Sequence, residues 1–295
     1  MDQGIGPYVL VTAAYNEEAC IERTIRSVDA QTVRPRRWVI VSDGSTDRTD
    51  EIVRRLAAAS DYIQFLPRKK DQHRGFASKV SALRAGLELL NGDGSPFIGH
   101  IDGDVTLEPT YFERLLNKFS EDPKLGIGGG WIWERVHGEF QERPANATIS
   151  VPGAVQMFRR KCHEDVGGLL PMEFGGEDSY AEVKARMCGW RVQSFPDLKV
   201  CHHHKEGKVT VRLRYCYRQG FMDFSLGNHP LFELARVIRR VPARPYFVSA
   251  AARLLGFGLA HISGRRMVPQ DFIAYLRREQ LSRLWSYRPF RGVAP

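Results

Sequence analysis

VLVTAAYNEEACIERTIRSVDAQTVRPRRWVIVSDGSTDRTDEIV, residues 9–53, alternates apolar runs with stretches of helical spacing. Tyr8–Ala14 and Arg37–Asp43 are nearly continuous in branched and aromatic residues, as strands buried on both faces are. Between and after them, Glu18–Ala30 and Asp47–Ala59 repeat apolar residues at helical intervals. Strand, helix, strand, helix in that order implies a parallel sheet covered on both faces, because each crossover must pass over one face of the sheet.

The same alternation continues outward. YIQFLP (62–67) and PFIGHID (96–102) are expected as strands and Phe76–Leu90 as a helix. Ligands of such sheets bind beyond the carboxyl ends of the strands. Asn16 and Glu17 follow the first strand, Asp43 ends the second, and Asp102 and Asp104 follow the fourth. Ser45 or Thr46 is expected to cap the second helix, with Asp47, Asp50 and Glu51 suiting its positive end. Asp43 precedes that cap and has no such duty.

After Leu125 come a glycine-rich strand (LGIGGGWIW), an irregular stretch near Gln141–Thr148 and a short run VPGAVQMF. A helix over Asp178–Cys188 and a strand RVQSFPDLKV follow, the latter running into His202-His203-His204. Beyond residue 205 lie helical stretches at Val211–Gly220, Tyr246–Ile262 and Gln270–Trp285, with no internal repeat.

A 295-residue chain with 43% hydrophobic and 26% charged residues has the composition of a folded protein and excludes disorder. Five dispersed cysteines without a CxxC pair argue against a disulfide framework or zinc ribbon. The first residues show no basic and apolar leader, so a reducing, cytoplasmic setting is expected. The net charge of +9 is uneven: residues 205–295 hold 17 Lys and Arg against 5 Asp and Glu, residues 1–204 hold 26 against 29. Such asymmetry points to an anionic partner for the tail, nucleic acid or membrane surface, or else to solvated helix faces.

Asp102-Gly103-Asp104 ends an apolar strand, and two carboxylates one residue apart on a turn can surround one hard cation such as Mg²⁺ or Mn²⁺. Asp and Gly are also ordinary turn residues. Glu177-Asp178 after Gly175-Gly176 suits either a helix start or a reactive carboxylate. Strand alternation sets His202 and His204 on one face and His203 on the other.

Taken together, these stretches resemble the glycosyltransferase family 2 enzymes of the GT-A fold, over roughly residues 7–205. The quoted stretch 9–53 resembles the family's N-terminal signature, HIDGDVTLEP its DxD segment, GGEDSYAEVKARMCGW its acceptor-side helix and VCHHH its strand-end histidine. The resemblance implies an α/β GT-A fold, a mostly parallel Rossmann-like sheet with a basic helical C-terminal extension. Residues 1–204 would form the catalytic domain, about 7–107 binding the nucleotide-sugar and 108–204 facing the acceptor; 205–295 would form the extension.

The resemblance also implies roles. Ala13, Tyr15, Glu17, Asp43, Lys79 and Asp102 would contact the donor, with Tyr15 or its neighbour packing on the base, Asp43 taking its imide hydrogen bond and Asp102 meeting ribose or a metal-bound water. Asp104 and His202 would bind Mn²⁺ or Mg²⁺, and Asp178 would be the general base of an inverting, single-displacement transfer. The donor would be a nucleotide-diphospho-sugar, UDP-linked as first expectation, and the acceptor a hydroxyl of a lipid-linked glycan or nascent polysaccharide. One departure stands out: HRGFASKVSALRAG replaces the Asn-rich stretch of many relatives, so His73, Arg74 and Lys79 bring positive charge that either meets the diphosphate or solvates a helix start.

Two other classes compete with this one. A nucleotidyltransferase making nucleotide-sugars should carry a glycine-rich phosphate loop after its first strand, where this chain has Ala13-Ala14-Tyr15-Asn16-Glu17-Glu18. A nucleic-acid-binding protein could stack bases on Tyr215, Tyr217 and Phe221 among Arg212, Arg214 and Arg218, but no recognisable binding motif accompanies them. For the tail, the apolar run Tyr246–Ile262 is 17 residues with Arg253 near its middle. A charge there disfavours spanning and favours lying in the interface of an anionic inner leaflet; the other reading is an ordinary buried helix.

Overall fold

A computed structural model describes residues 6–69, 76–136, 138–203, 209–240 and 247–286. The chain divides into two compact units, one holding residues 1–173 and 177–206, the other 174–176 and 207–295.

In the first unit the elements are β1 (Tyr8–Ala14), α1 (Ile21–Asp29), β2 (Arg37–Asp43), α2 (Thr49–Ala58), β3 (Ile63–Arg68), α3 (Phe76–Glu88), β4 (Phe97–Ile101), β5 (Val105–Leu107) and α4 (Tyr111–Glu121). They continue as β6 (Leu125–Val136), β7 (Glu139–Glu142), β8 (Val155–Arg159), α5 (Arg160–Val166), α6 (Glu177–Met187) and β9 (Arg191–His202). All nine strands form one sheet in the order β3-β2-β1-β4-β8-β6-β9-β5, with β7 hydrogen-bonded to β6. β1, β2, β3 and β4 are parallel; β8 runs antiparallel to β4 and β6, and β5 antiparallel to β9.

Strand alternation divides the core. Tyr8, Leu10, Trp38 and Ile40 pack on one side with α1 and α4 residues such as Ile25, Phe112 and Leu115. Val9, Val11, Val39 and Val41 pack on the other with Val80 and Leu83 of α3, Cys162 of α5 and Ala181 of α6. Double-sided burial is why these strands are apolar throughout.

Two local expectations are corrected. α2 begins at Thr49, later than a Ser45 or Thr46 cap requires. Those residues serve the β1 loop instead: Asn16 N–H donates to Ser45 Oγ and Thr46 N–H to Asn16 Oδ1, which holds Asn16 at φ 54°. Asp47 takes the duty at the helix start, accepting from the Thr49 N–H and hydroxyl. Of the stretch expected to be irregular, only Gln141 and Glu142 belong to a strand, β7, which pairs with β6; beyond them Asn146 Oδ1 and Nδ2 satisfy the Ile132 backbone in place of a strand.

The second unit contains α7 (Val209–Ser225), α8 (Pro230–Arg240), α9 (Val248–Ser263) and α10 (Gln270–Ser286). α7 and α9 meet through glycine: a Cβ on Gly220 would lie 2.3 Å from Arg253 O, and one on Gly256 2.0 Å from Tyr217 O. Arg253 is therefore turned inward, 2% exposed, with its guanidinium on Glu233, Asp223 and Gln219. Its charge is met by protein carboxylates within the unit, so the arginine that argues against a spanning helix does not face outward from α9. Among the described residues no helix is long and apolar enough to cross a membrane.

Candidate active site

The site forms at the carboxyl ends of β1, β2 and β4. β4 ends at Ile101, and the Asp102 N–H donates to Ala154 O at 2.9 Å, fixing the following turn. The chain then re-enters the sheet as β5, whose antiparallel register places Val105 opposite His202 of β9. The His203 N–H donates to Asp104 O at 2.8 Å, and His202 Nε2 lies 3.1 Å from Asp104 Oδ2. One ligand atom each from Asp102, Asp104 and His202 thus lies within 4.8 Å of the others.

Two carboxylates and one imidazole suit a Mn²⁺ or Mg²⁺ ion. The electrostatics fit as well. Burial works against a charged His202, but its hydrogen bond to Asp104 and the Asp104 charge outweigh this and raise its pKa, so the surroundings favour positive charge at this point. Burial and the charges of Asp104, Asp102 and Asp47 push Glu17 up to about 7. Such crowding of negative charge is what a bound cation relieves. Gly103 permits it: a Cβ there would come within 3.2 Å of Ile21 Cδ1 and 3.3 Å of Glu17 Cγ.

Lys79, on the first turn of α3, reaches Asp102 with Nζ–Oδ1 at 2.6 Å. Burial opposes its charge, but Asp102, Glu177 and Asp178 more than offset this and hold the ammonium above its ordinary range. Lys79 thus pairs with Asp102 and also feels the charge of the acids at the start of α6. Gly175 and Gly176 enter that helix at φ 84° and 99°, values favouring glycine. The Asp178 carboxylate accepts the Ser179 N–H at 2.7 Å and presses on Gly153, whose Cβ, if present, would lie 2.7 Å from Oδ2.

Asp43 is buried at the end of β2, where Ser78 donates to Oδ2 and Arg68 Nη1 approaches Oδ1 at 3.5 Å. It stands outside the cation cluster. Ala13 and Tyr15 are half-buried at and just beyond the end of β1. His203 is turned away from the cluster, with Nε2 2.8 Å from Thr106 Oγ1 and its ring on Phe140. His73, Arg74 and His204 lie outside the described residues.

Sequence reasoning missed Arg68, Ser78, Gly153 and Glu182. Arg68 was open to the strand-end rule that found Asp43. Glu182, one turn beyond Asp178 on α6, is buried and accepts from the Val151 N–H at 2.6 Å and Ser150 Oγ at 3.1 Å. Burial, with Asp178 adding to it, pushes its carboxyl up to about 8. Its helical spacing from Asp178 was the available signal.

The chain is 26% identical over 207 residues to the poly-beta-1,6-N-acetyl-D-glucosamine synthase of Staphylococcus aureus (strain COL), covering 64% of this chain and 48% of that one. It thus spans about half the length of those curated relatives. Glycosyltransferase AglE of Haloferax volcanii is 26% identical over 271 residues, covering 85% of this chain and 86% of its own. Among solved structures, a mannosyltransferase from Pyrobaculum calidifontis in complex with GDP-Man and Mn²⁺ superposes with a TM-score of 0.58 at 19% identity, covering 98% of this chain and 83% of that one. That likeness establishes a GT-A architecture with a helical C-terminal extension. The glycosyl transferase family 2 model matches residues 9–174, from β1 through the strand ends that carry the acidic cluster; the chain belongs to that family.

Proposed function

We propose that residues 1–204 transfer a sugar, with inversion, from a nucleoside diphosphate donor to a hydroxyl of a lipid-linked glycan or growing polysaccharide. The grouping of Asp102, Asp104 and His202 at one sheet edge, with Lys79 paired to Asp102 and feeling the charge of the acids at the start of α6, carries this reading. Mn²⁺ or Mg²⁺ held by Asp104 and His202, with Asp102 beside them, would supply Lewis-acid neutralisation of the departing diphosphate.

The remaining chemistry belongs to the chain. Asp43 orients the base at the end of β2, and Ala13, Tyr15 and Glu17 border it from β1. Lys79 adds positive charge at the diphosphate. Asp178 accepts the proton of the attacking hydroxyl as its oxygen bonds to the anomeric carbon. The bond from that carbon to the diphosphate oxygen breaks, and the nucleoside diphosphate keeps the electron pair. We place the enzyme peripherally at the inner face of the cell membrane, where such an acceptor would be presented; the basic residues of 205–295 support that location.

The similar mannosyltransferase is in complex with GDP-Man and Mn²⁺, and the staphylococcal relative is a poly-beta-1,6-N-acetyl-D-glucosamine synthase, so UDP and GDP are the first nucleotides to compare. Thermal-shift ranking of UDP, GDP, dTDP and CDP, with Mn²⁺ and with Mg²⁺, does so. A nucleotide at ~100 times its Kd adds about 2.7 kcal/mol of stability. One nucleotide should stand out, only with metal, and lose its effect in Asp104→Ala. An equal shift in that variant, or none from any nucleotide, overturns the reading.

A further inference from the structure

α9 is apolar on its outward side as well as its inward one. A helix facing water turns apolar residues inward and polar ones outward. In α9 the only Lys, Arg, Asp or Glu is Arg253, and it is buried. The outward side carries Val248, Leu255, Leu259 and Ile262 on one stripe, with Leu255 58% and Ile262 85% exposed. Leu254 and Gly258 widen the stripe, and the exposed arc they form contains no charge. α8, packed beside α9, repeats the pattern with Leu231, Leu234 and Ile238, the first and last 60% exposed.

The buried polar groups show why the orientation is fixed. Arg253 is enclosed by Asp223 of α7 and Glu233 of α8, and Arg236 Nη1 approaches Asp223 Oδ1 at 2.9 Å. Two cations meet two carboxylates, so rotating α9 to hide its leucines would carry Arg253 off its partners and leave Asp223 and Glu233 to share Arg236 alone. The glycine contact at Gly220 and Gly256 locks the same face against α7.

We infer that the outward faces of α8 and α9 form a docking surface for an anionic lipid bilayer. This deepens the proposed membrane location without depending on the donor or acceptor. Acyl carbon would take the leucine and isoleucine stripe while phosphate headgroups meet the basic surround. Residues 205–295 hold 17 Lys and Arg against five Asp and Glu, and the pairing of Asp223, Glu233 and Glu279 with Arg253, Arg236 and Arg283 leaves that positive excess unchanged. Exposed Arg265 directly follows α9. The same charge disfavours a second copy as the occupant, since a two-fold contact would bring like-charged faces together.

The test is co-sedimentation of the full chain with phosphatidylcholine vesicles, with and without phosphatidylglycerol, at low and high salt. Wild type should pellet with the anionic vesicles at low salt and release as salt rises. The pair Leu255→Glu and Ile262→Glu should lower the bound-to-free ratio about a hundredfold, each lost leucine-sized burial being worth about tenfold. Its melting temperature and metal-dependent nucleotide shift should be unchanged. Asp104→Ala, which should lose nucleotide binding, should still pellet, so failure of the catalytic reading leaves this one standing. Wild type remaining in the supernatant, or the glutamate pair pelleting like wild type, overturns the inference. A dimer that the same pair dissolves, without vesicle binding, would assign the face to self-association instead.

Discussion

Gly153→Ala probes the proposed base without touching it. An alanine Cβ would stand 2.7 Å from Asp178 Oδ2 and 3.2 Å from its Cβ and Cγ, where ordinary contact begins at 3.4 Å, so about 0.7 Å must be found at the oxygen. The other oxygen is tethered by the Ser179 N–H. The loop cannot simply yield: Glu182 holds Ser150 and Val151, and Ala154 O accepts the Asp102 N–H. Movement on either side therefore displaces a proposed site residue. Gly153 is not among the residues at positive φ, so alanine itself brings no backbone strain there. Misplacing a reacting group by ~1 Å can cost ~10²-fold, so a displacement near 0.7 Å should lower kcat by roughly tenfold or more, about 1.4 kcal/mol of barrier. Initial rates of nucleoside diphosphate release, with donor KM and melting temperature measured alongside, report it. KM and melting temperature should hold while kcat falls. If the effect passes through Asp178, alanine should cost nothing further in an Asp178→Asn background. Full kcat in the single variant, or the same loss again in the double, refutes the reasoning.

Asp178→Asn should itself lower kcat by ~10²–10⁴ and spare nucleotide affinity; near-normal turnover would move the role to another group such as Glu177. Glu182 supplies a pH signature. Its carboxyl rises from 4.5 to about 8 on folding, so the folded state favours the proton, and that stability is complete below 4.5 and lost as pH rises through about 8. Glu182→Gln keeps an acceptor for the Val151 N–H but cannot ionise. Its melting temperature should therefore fall less than that of wild type over this interval, and parallel curves would show that Glu182 does not carry the effect.

What the sequence reveals depends on how local the cause is. β1, β2 and β4 were legible because burial on both faces leaves almost no polar residue in them, and Asp102 and Asp104 were legible from standing at such a strand's end. His202 was not assignable to a cation on those grounds, since alternation left His204 equally placed; family resemblance singled it out. Hidden entirely were facts that depend on pairing between distant segments: β8 running against β4 and β6, and Gly153 meeting Asp178. The α2 start was misjudged because Ser45 and Thr46 answer to Asn16, some 30 residues earlier. Arg253 was legible as a charge in an apolar helix, but which way it pointed required α7 and α8.

The β5 to β9 pairing has a kinetic consequence. His202 joins Asp102 and Asp104 only when a three-residue strand finds its partner nearly a hundred positions later. Long-range pairings of this kind form slowly, after their loop entropy has been met. On the proposed cation site, a nascent chain still short of β9 would hold the acidic turn without its imidazole, and cation affinity would mature only as the last strand closes. Metal uptake during refolding would then serve as a clock for completion of the sheet, and substitutions that weaken the β5–β9 edge would surface first as enzymes that load metal late.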